Sequence, residues 1–236
     1  SAYGHDHIRL EVNMPEAEQN YTLFSEYVDV VPDPDKMTKV LRTVRRQISQ
    51  QAYEYIMVAA GSRQPDKADV IYHFIVYGFA LGSKVTEALH IPCVQRIFEI
   101  YRKARNEAHY FLEFIRFEEI SWQDHPVLYA VIEPENEVID MVADHFTDRL
   151  NPEWFIVYDK SHGKAAFHNP GRRWYMRQLE QRERQVLDEL EHSGGQEYAD
   201  LWKAFFDSIA IKERENSGLQ RTNLPLHYRK HMTEFH

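Results

Sequence analysis

The stretch Val127-Leu-Tyr-Ala-Val-Ile-Glu133, followed by Val138-Ile-Asp-Met-Val-Ala-Asp-His-Phe146 and then Trp154-Phe-Ile-Val-Tyr158, decides the fold. The first and third runs are short and rich in β-branched and aromatic residues, as strands are, and the first alternates. Between them Val138, Ile139, Val142, Ala143 and Phe146 recur at helical spacing. Upstream, Ile115–Ile120 also alternates, with Trp122–Pro126 as the turn into Val127. Downstream, Lys164–His168 pairs with Trp154–Tyr158 as a hairpin closed around Asp159–Gly163. The order is ββαββ, which predicts an antiparallel sheet of about four strands with a helix across one face.

Helices flank this core. Met37, Leu41, Val44, Ile48, Ala52, Tyr55 and Ala59 form one stripe and predict a helix over Lys36–Ala60, with Asp35 as its N-cap. Lys39, Arg42 and Arg46 fall on another face, read as solvated. Glu26–Val31 is read as a short strand. Asp69–Lys84 is apolar nearly all round and predicts a central helix, in which Gly78 and Gly82 admit a close neighbour. Pro92 opens a long helix reaching about Ile115, striped by Val94, Ile97, Phe98, Tyr101, Ala104, Ala108, Phe111, Leu112 and Ile115. Arg172–His192 is read as a charged helix carrying Met176, Leu179, Val186 and Leu187 inward, and Gln196–Glu215 as the last long helix. The fold class expected is α+β and mostly helical. It forms a single domain over 1–236, with a helical part at 36–115, ββαββ at 116–170 and a C-terminal helical part at 171–236.

Composition narrows the function classes. The chain has 236 residues, 43% of them hydrophobic and 13% aromatic, which suits a packed core rather than disorder. No apolar run is long enough for a membrane span, and no leader peptide is visible. A lone cysteine, Cys93, excludes an internal disulfide framework, and a reducing cytoplasm is the expected setting. It sits just after Pro92 at a helix start, where its pKa could fall; the plainer reading is a small buried hydrophobe. The net charge of −9 is uneven, because Asp6, Glu11, Glu16, Glu18, Glu26, Asp29, Asp33 and Asp35 crowd the first 35 residues against Arg9 alone. No nucleophile elbow, Walker loop, dinucleotide fingerprint or HExxH motif is present. No cofactor and no metal are expected.

Three segments carry chemistry. On the long helix Arg105, His109 and Arg116 advance along one line, a pattern that can hold an anion beside an acid–base histidine; the plainer reading pairs His109 with Glu113, four residues on. On the next helix His145 and Asp148 lie three apart with Arg149 beside them, too few ligands for a metal. In the tail Arg214, Asn216, Tyr228 and Arg229 belong to a polar run suited to phosphates and bases. The alternative is a C-terminal arm laid on the surface by Leu219, Leu224, Leu226 and Tyr228.

Gly78-Phe79 with Gly82, Glu107-Ala-His109 through Arg116-Phe117, Leu128-Tyr-Ala-Val-Ile-Glu-Pro134, His145-Phe-Thr-Asp-Arg149, Trp154-Phe-Ile-Val-Tyr-Asp159, Leu201-Trp-Lys203 through Ile211, Arg214, Asn216, Leu219-Gln220 and Pro225–Tyr228 together resemble the bacterial DUF4130 family. Its members are described as probable DNA metabolism or putative DNA repair proteins. The resemblance covers most of the chain. It implies a companion role beside a radical-SAM DNA repair or modification protein, and some members are fused to a uracil-DNA-glycosylase-like domain. Members begin with a strand and helix ahead of the region matching His5-Asp-His7, which this sequence does not carry.

The leading expectation is a nucleic-acid-binding accessory in DNA metabolism or repair. Arg105, His109, Arg116, Arg149, Arg214 and Arg229 would take phosphates, Asn216 and Tyr228 would read or stack, and the DNA chemistry would belong to the partner. One alternative is a nucleic-acid-modifying or hydrolysing enzyme whose acid–base groups are His109, His145, Asp148 and Asp159. Another is a protein–protein interaction module using the acidic N-terminal segment to dock a basic surface or shield a basic face.

Overall fold

Asp33 starts the first helix by accepting hydrogen bonds from the Asp35 and Lys36 amides, both at 3.0 Å. This computed structural model describes residues 4–12, 25–122, 125–190 and 224–232. The backbone clusters into two compact units, residues 1–104 and 105–236.

The first unit holds α1 (Pro34–Gln47), α2 (Gln50–Ala60), α3 (Lys67–Leu81) and the start of α4 (Pro92–Phe114). The single helix expected over Lys36–Ala60 is two. Ser49 leaves helical conformation and accepts the Ala52 amide, so the apolar stripe survives while the backbone turns. The N-cap is Asp33 rather than Asp35. Glu26–Val31 is not a strand. Val44, Ile48, Ala52, Tyr55, Ile56, Phe74, Val94 and Ile97 make the core. Gly78 is buried because the Ile48 side chain occupies the space a Cβ would need. Gly82 ends α3 at φ +62°, a left-handed conformation suited to glycine. Burial pushes the Cys93 thiol above its ordinary pKa, outweighing the helix-start amides that favour the thiolate.

The second unit is built on β1 (Glu118–Trp122), β2 (His125–Ile132), α5 (Ile139–Arg149), β3 (Phe155–Asp159), β4 (Lys164–His168), β5 (Tyr175–Gln178) and α6 (Gln181–Leu190). The sheet has five strands, in the order β1-β2-β3-β4-β5. It is mixed rather than antiparallel, since β2 and β3 pair in parallel, Leu128 opposite Phe155 and Ile132 opposite Asp159. The crossover through α5 returns the chain in the same direction, and central strands buried on both faces read as continuous apolar runs; all five residues of β3 are buried. The fifth strand lies where a helix was expected: Tyr175–Gln178 is an edge strand, wholly exposed, and α6 begins only at Gln181. Met176 therefore faces outward. The expected helix over Gln196–Glu215 lies outside the described residues.

Each face of the sheet has its cover. Leu179 and Leu187 pack with Ile120, Tyr129, Val131, Ile156 and Tyr158, and the Tyr129 hydroxyl donates to the Leu187 carbonyl at 2.9 Å. On the other face Phe117 sets its ring edge-on to Phe146 of α5, at 4.9 Å, and to Phe155 of β3, at 6.1 Å. Fully burying one side chain such as Leu187 contributes about 2 kcal/mol. Among the described residues no helix is long and apolar enough to cross a membrane.

Candidate functional site

Helix α4 ends at Phe114, and the chain turns into β1 through Ile115-Arg116-Phe117. The C-terminal turn Leu226–His231 lies against this end of the helix. Its anchor is Tyr228, whose ring stacks on Tyr110 (4.9 Å, 29°) and meets Phe111 edge-on at 5.1 Å. Burial pushes the Tyr228 phenol well above its ordinary pKa, helped by Glu107, Tyr110 and Glu135, so it stays protonated. Arg229 turns back to donate to the Leu224 carbonyl at 3.1 and 3.2 Å, closing the turn.

Between helix end and C-terminal turn lies a shallow concavity. Phe111, Phe114, Ile115 and Val131 supply apolar walls; Arg116, Glu133, His227, Tyr228 and His231 supply polar ones. Arg116 is braced by the Phe114 and Ile115 carbonyls, at 3.2 and 3.3 Å. Glu133, just after β2, accepts two hydrogen bonds from Lys230, both 2.6 Å, and faces His231 Nε2 at 3.2 Å. Burial works to raise the Glu133 pKa, but Lys230 and His231 together hold it below the usual carboxylate range. Beside the Lys230–Glu133 pair the concavity gathers one guanidinium and two imidazoles, groups whose N–H donors suit an anion. The His231–Glu133 pair can also carry a proton.

A buried carboxylate supports this corner. Glu107 of α4 is 6% exposed and accepts the Glu135 amide (2.6 Å), the Asn136 amide (3.1 Å) and the Asn136 side-chain amide (2.5 Å). Those three bonds tie α4 to the segment after β2, the one that positions Glu133.

Of the residues singled out in the sequence, Arg116 and Tyr228 meet here. His109 points to solvent and pairs with Glu113 at 3.1 Å, the plainer reading of that position. Arg105 is exposed on α4. His145, Asp148 and Arg149 lie exposed on α5, His145 edge-on to Phe146. Asp159 is fully buried at the end of β3 and binds the His162 backbone amide (3.0 Å) and Nδ1 (2.8 Å). Burial raises its pKa, against the opposing pull of His162. Among the described residues no hydrogen bond or ion pair links His109, His145, Asp148 and Asp159 to one another. None of the described His, Cys, Asp and Glu residues form a group of three or more that could hold a metal ion. Arg214 and Asn216 fall outside the described residues.

Sequence reasoning missed Glu107 and Glu133 as members of this corner; His231 belongs to the polar tail run already singled out, but its partner Glu133 was not foreseen. The Glu107-Ala-His109 and Glu133-Pro134 pairs were visible, but their roles depend on contacts 29 and 98 residues away in the chain.

Residues 65–234 match the family model described as "Domain of unknown function (DUF4130)", and the chain belongs to that family. The match takes in α3, α4, the whole sheet and the C-terminal turn, and begins after α1 and α2. Neither the curated proteins nor the solved structures offer a match.

Proposed function

We propose that this protein binds nucleic acid as an accessory in DNA metabolism or repair, acting beside a radical-SAM protein that supplies the chemistry. The observation that carries the reading is the seating of Tyr228 on Tyr110 and Phe111, which brings His227 and His231 to the same concavity as Arg116. A phosphate there would meet one guanidinium and two imidazoles, groups whose N–H donors suit its oxygens. The partner rests on the family resemblance alone.

The test is fluorescence anisotropy of labelled DNA at rising salt. Each neutralised phosphate releases counterions, so affinity should fall steeply from low to moderate salt. Arg116→Ala should flatten the salt dependence by about one phosphate contact. Absence of binding at low salt, or binding indifferent to salt, rejects the proposal.

A second reading, a nucleic-acid-modifying or hydrolysing enzyme, draws on the His231–Glu133 and His162–Asp159 pairs. Under it His231→Ala abolishes turnover while binding persists; in an accessory the same change gives only a graded loss of affinity.

A further inference from the structure

The edge of the sheet far from the concavity carries a basic and aromatic surface that helical patterning had hidden. Gly171-Arg-Arg-Trp-Tyr-Met-Arg177 leads into and through β5. Arg172 and Arg173 are exposed, and among the described residues their guanidinium groups have no hydrogen-bond or ion-pair partner, the Arg172 backbone amide alone donating to the Asn169 carbonyl at 3.0 Å. Arg177 is already committed to Glu183, at 2.6 Å. Tyr175, half exposed, stacks on Phe167 of β4, with centroids 5.5 Å apart and planes 18° apart.

The same end of the sheet carries a second stack. Trp154, just before β3, is 42% exposed and lies parallel to His125 at the start of β2 (6.3 Å, 6°). The register puts both stacks on one face. Phe167 and Tyr175 are direct partners and Phe167 opposes Ile156; Trp154, two residues before Ile156, shares its side by strand alternation. The two loops at this end are tied together, since Gly171 donates its amide to the Asn151 carbonyl at 3.0 Å. Gly171 sits at φ +67°, which lets the chain turn sharply just before the two arginines.

Exposed aromatic faces accept bases of any sequence, and unpaired arginines beside them accept the phosphates between those bases. A duplex keeps its bases stacked on one another and cannot use the rings. We infer that this end of the sheet binds single-stranded nucleic acid, with Trp154 and Tyr175 stacking bases and Arg172 and Arg173 holding the backbone. The inference deepens the proposed function and rests on it, while using none of the groups of the concavity.

The experiment measures anisotropy of a labelled oligothymidine and of a duplex of equal length, with the full chain and five variants: Arg172→Ala/Arg173→Ala, Trp154→Ala, Tyr175→Ala, Tyr175→Phe and Arg116→Ala. The expected result is tighter binding of the single strand. Loss of both arginines should weaken it at least tenfold and lower the salt slope by about 1.4, the single-strand value for two phosphates. Tyr175→Ala and Trp154→Ala should each weaken it about tenfold with the salt slope unchanged, and Tyr175→Phe should restore binding, which separates stacking from damage to the fold. If oligothymidine binds and only Arg116→Ala weakens it, the edge surface is wrong and the proposed function stands. If the chain binds neither nucleic acid, both fall. Displacement by oligoglutamate of equal charge, as effective as unlabelled oligothymidine, would reduce the edge to a general anion patch and overturn the inference.

Discussion

The Tyr228 ring stacks on the Tyr110 ring with 4.9 Å between centroids. The two residues are more than a hundred positions apart, and this contact, with the edge-on approach of Phe111, holds the C-terminal turn on α4. Tyr228→Ala should therefore both destabilise and open the site. Removing a half-buried aromatic ring costs about 2–3 kcal/mol, readable as a fall in the urea midpoint. Tyr228→Phe keeps both ring contacts and should stay within about 1 kcal/mol of wild type. A phenylalanine variant as unstable as the alanine one would show that the hydroxyl, not the ring, holds the turn.

Glu107 is the acceptor for three donors of the segment after β2. Glu107→Ala strands those donors in a buried corner, at a cost of about 3 kcal/mol. Glu107→Gln keeps one acceptor oxygen and should cost roughly half as much. Thermal unfolding of the two variants side by side checks the ranking; equal losses would mean that packing, not acceptance, is what Glu107 supplies.

The Glu133–Lys230–His231 group makes stability depend on pH. Because the folded carboxylate is held below its ordinary value of 4.5, its contribution is present above that value. It is lost as pH falls through the folded pKa. Lys230 is more than half exposed, so solvent limits the contribution to about 1 kcal/mol or less. Denaturant titrations should find Glu133→Gln less stable than wild type near neutrality, with the gap closing as pH drops below 4.5. A gap that persists or widens in acid contradicts the assignment.

Gly78 faces the buried Ile48 side chain so closely that an added Cβ would lie 2.6 Å from Ile48 Cδ1. Gly78→Ala should lose stability through overpacking, by about 1–3 kcal/mol, although alanine is the better helix former. The double variant Gly78→Ala/Ile48→Val trims a methylene from the clash and should recover part of that loss in the same denaturation assay.

Much of the fold was legible because apolar periodicity is a local property. The α4 stripe from Val94 to Phe111, the alternation in Val127–Ile132 and the helix through Val142 and Phe146 all appear where expected. The DUF4130 assignment, drawn from the same motifs, holds over residues 65–234. β5 escaped because Tyr175–Gln178 is short and exposed on every residue, so no inward-outward pattern marks it. Met176 and Leu179 happen to fall at helical spacing. The break at Ser49 escaped for a related reason, since Ile48 and Ala52 continue the stripe across it.

The amino-acid order alone determined the long helices, the central strands with their inward residues, and to which family the chain belongs. These depend on side chains a few positions apart, where spacing dictates direction. Only the tertiary structure decided that β2 and β3 run in parallel, that His231 meets Glu133, and that Trp154 and Tyr175 share one face. Such pairings join residues far apart in the chain. Their geometry follows from how whole elements pack, and no local period records it.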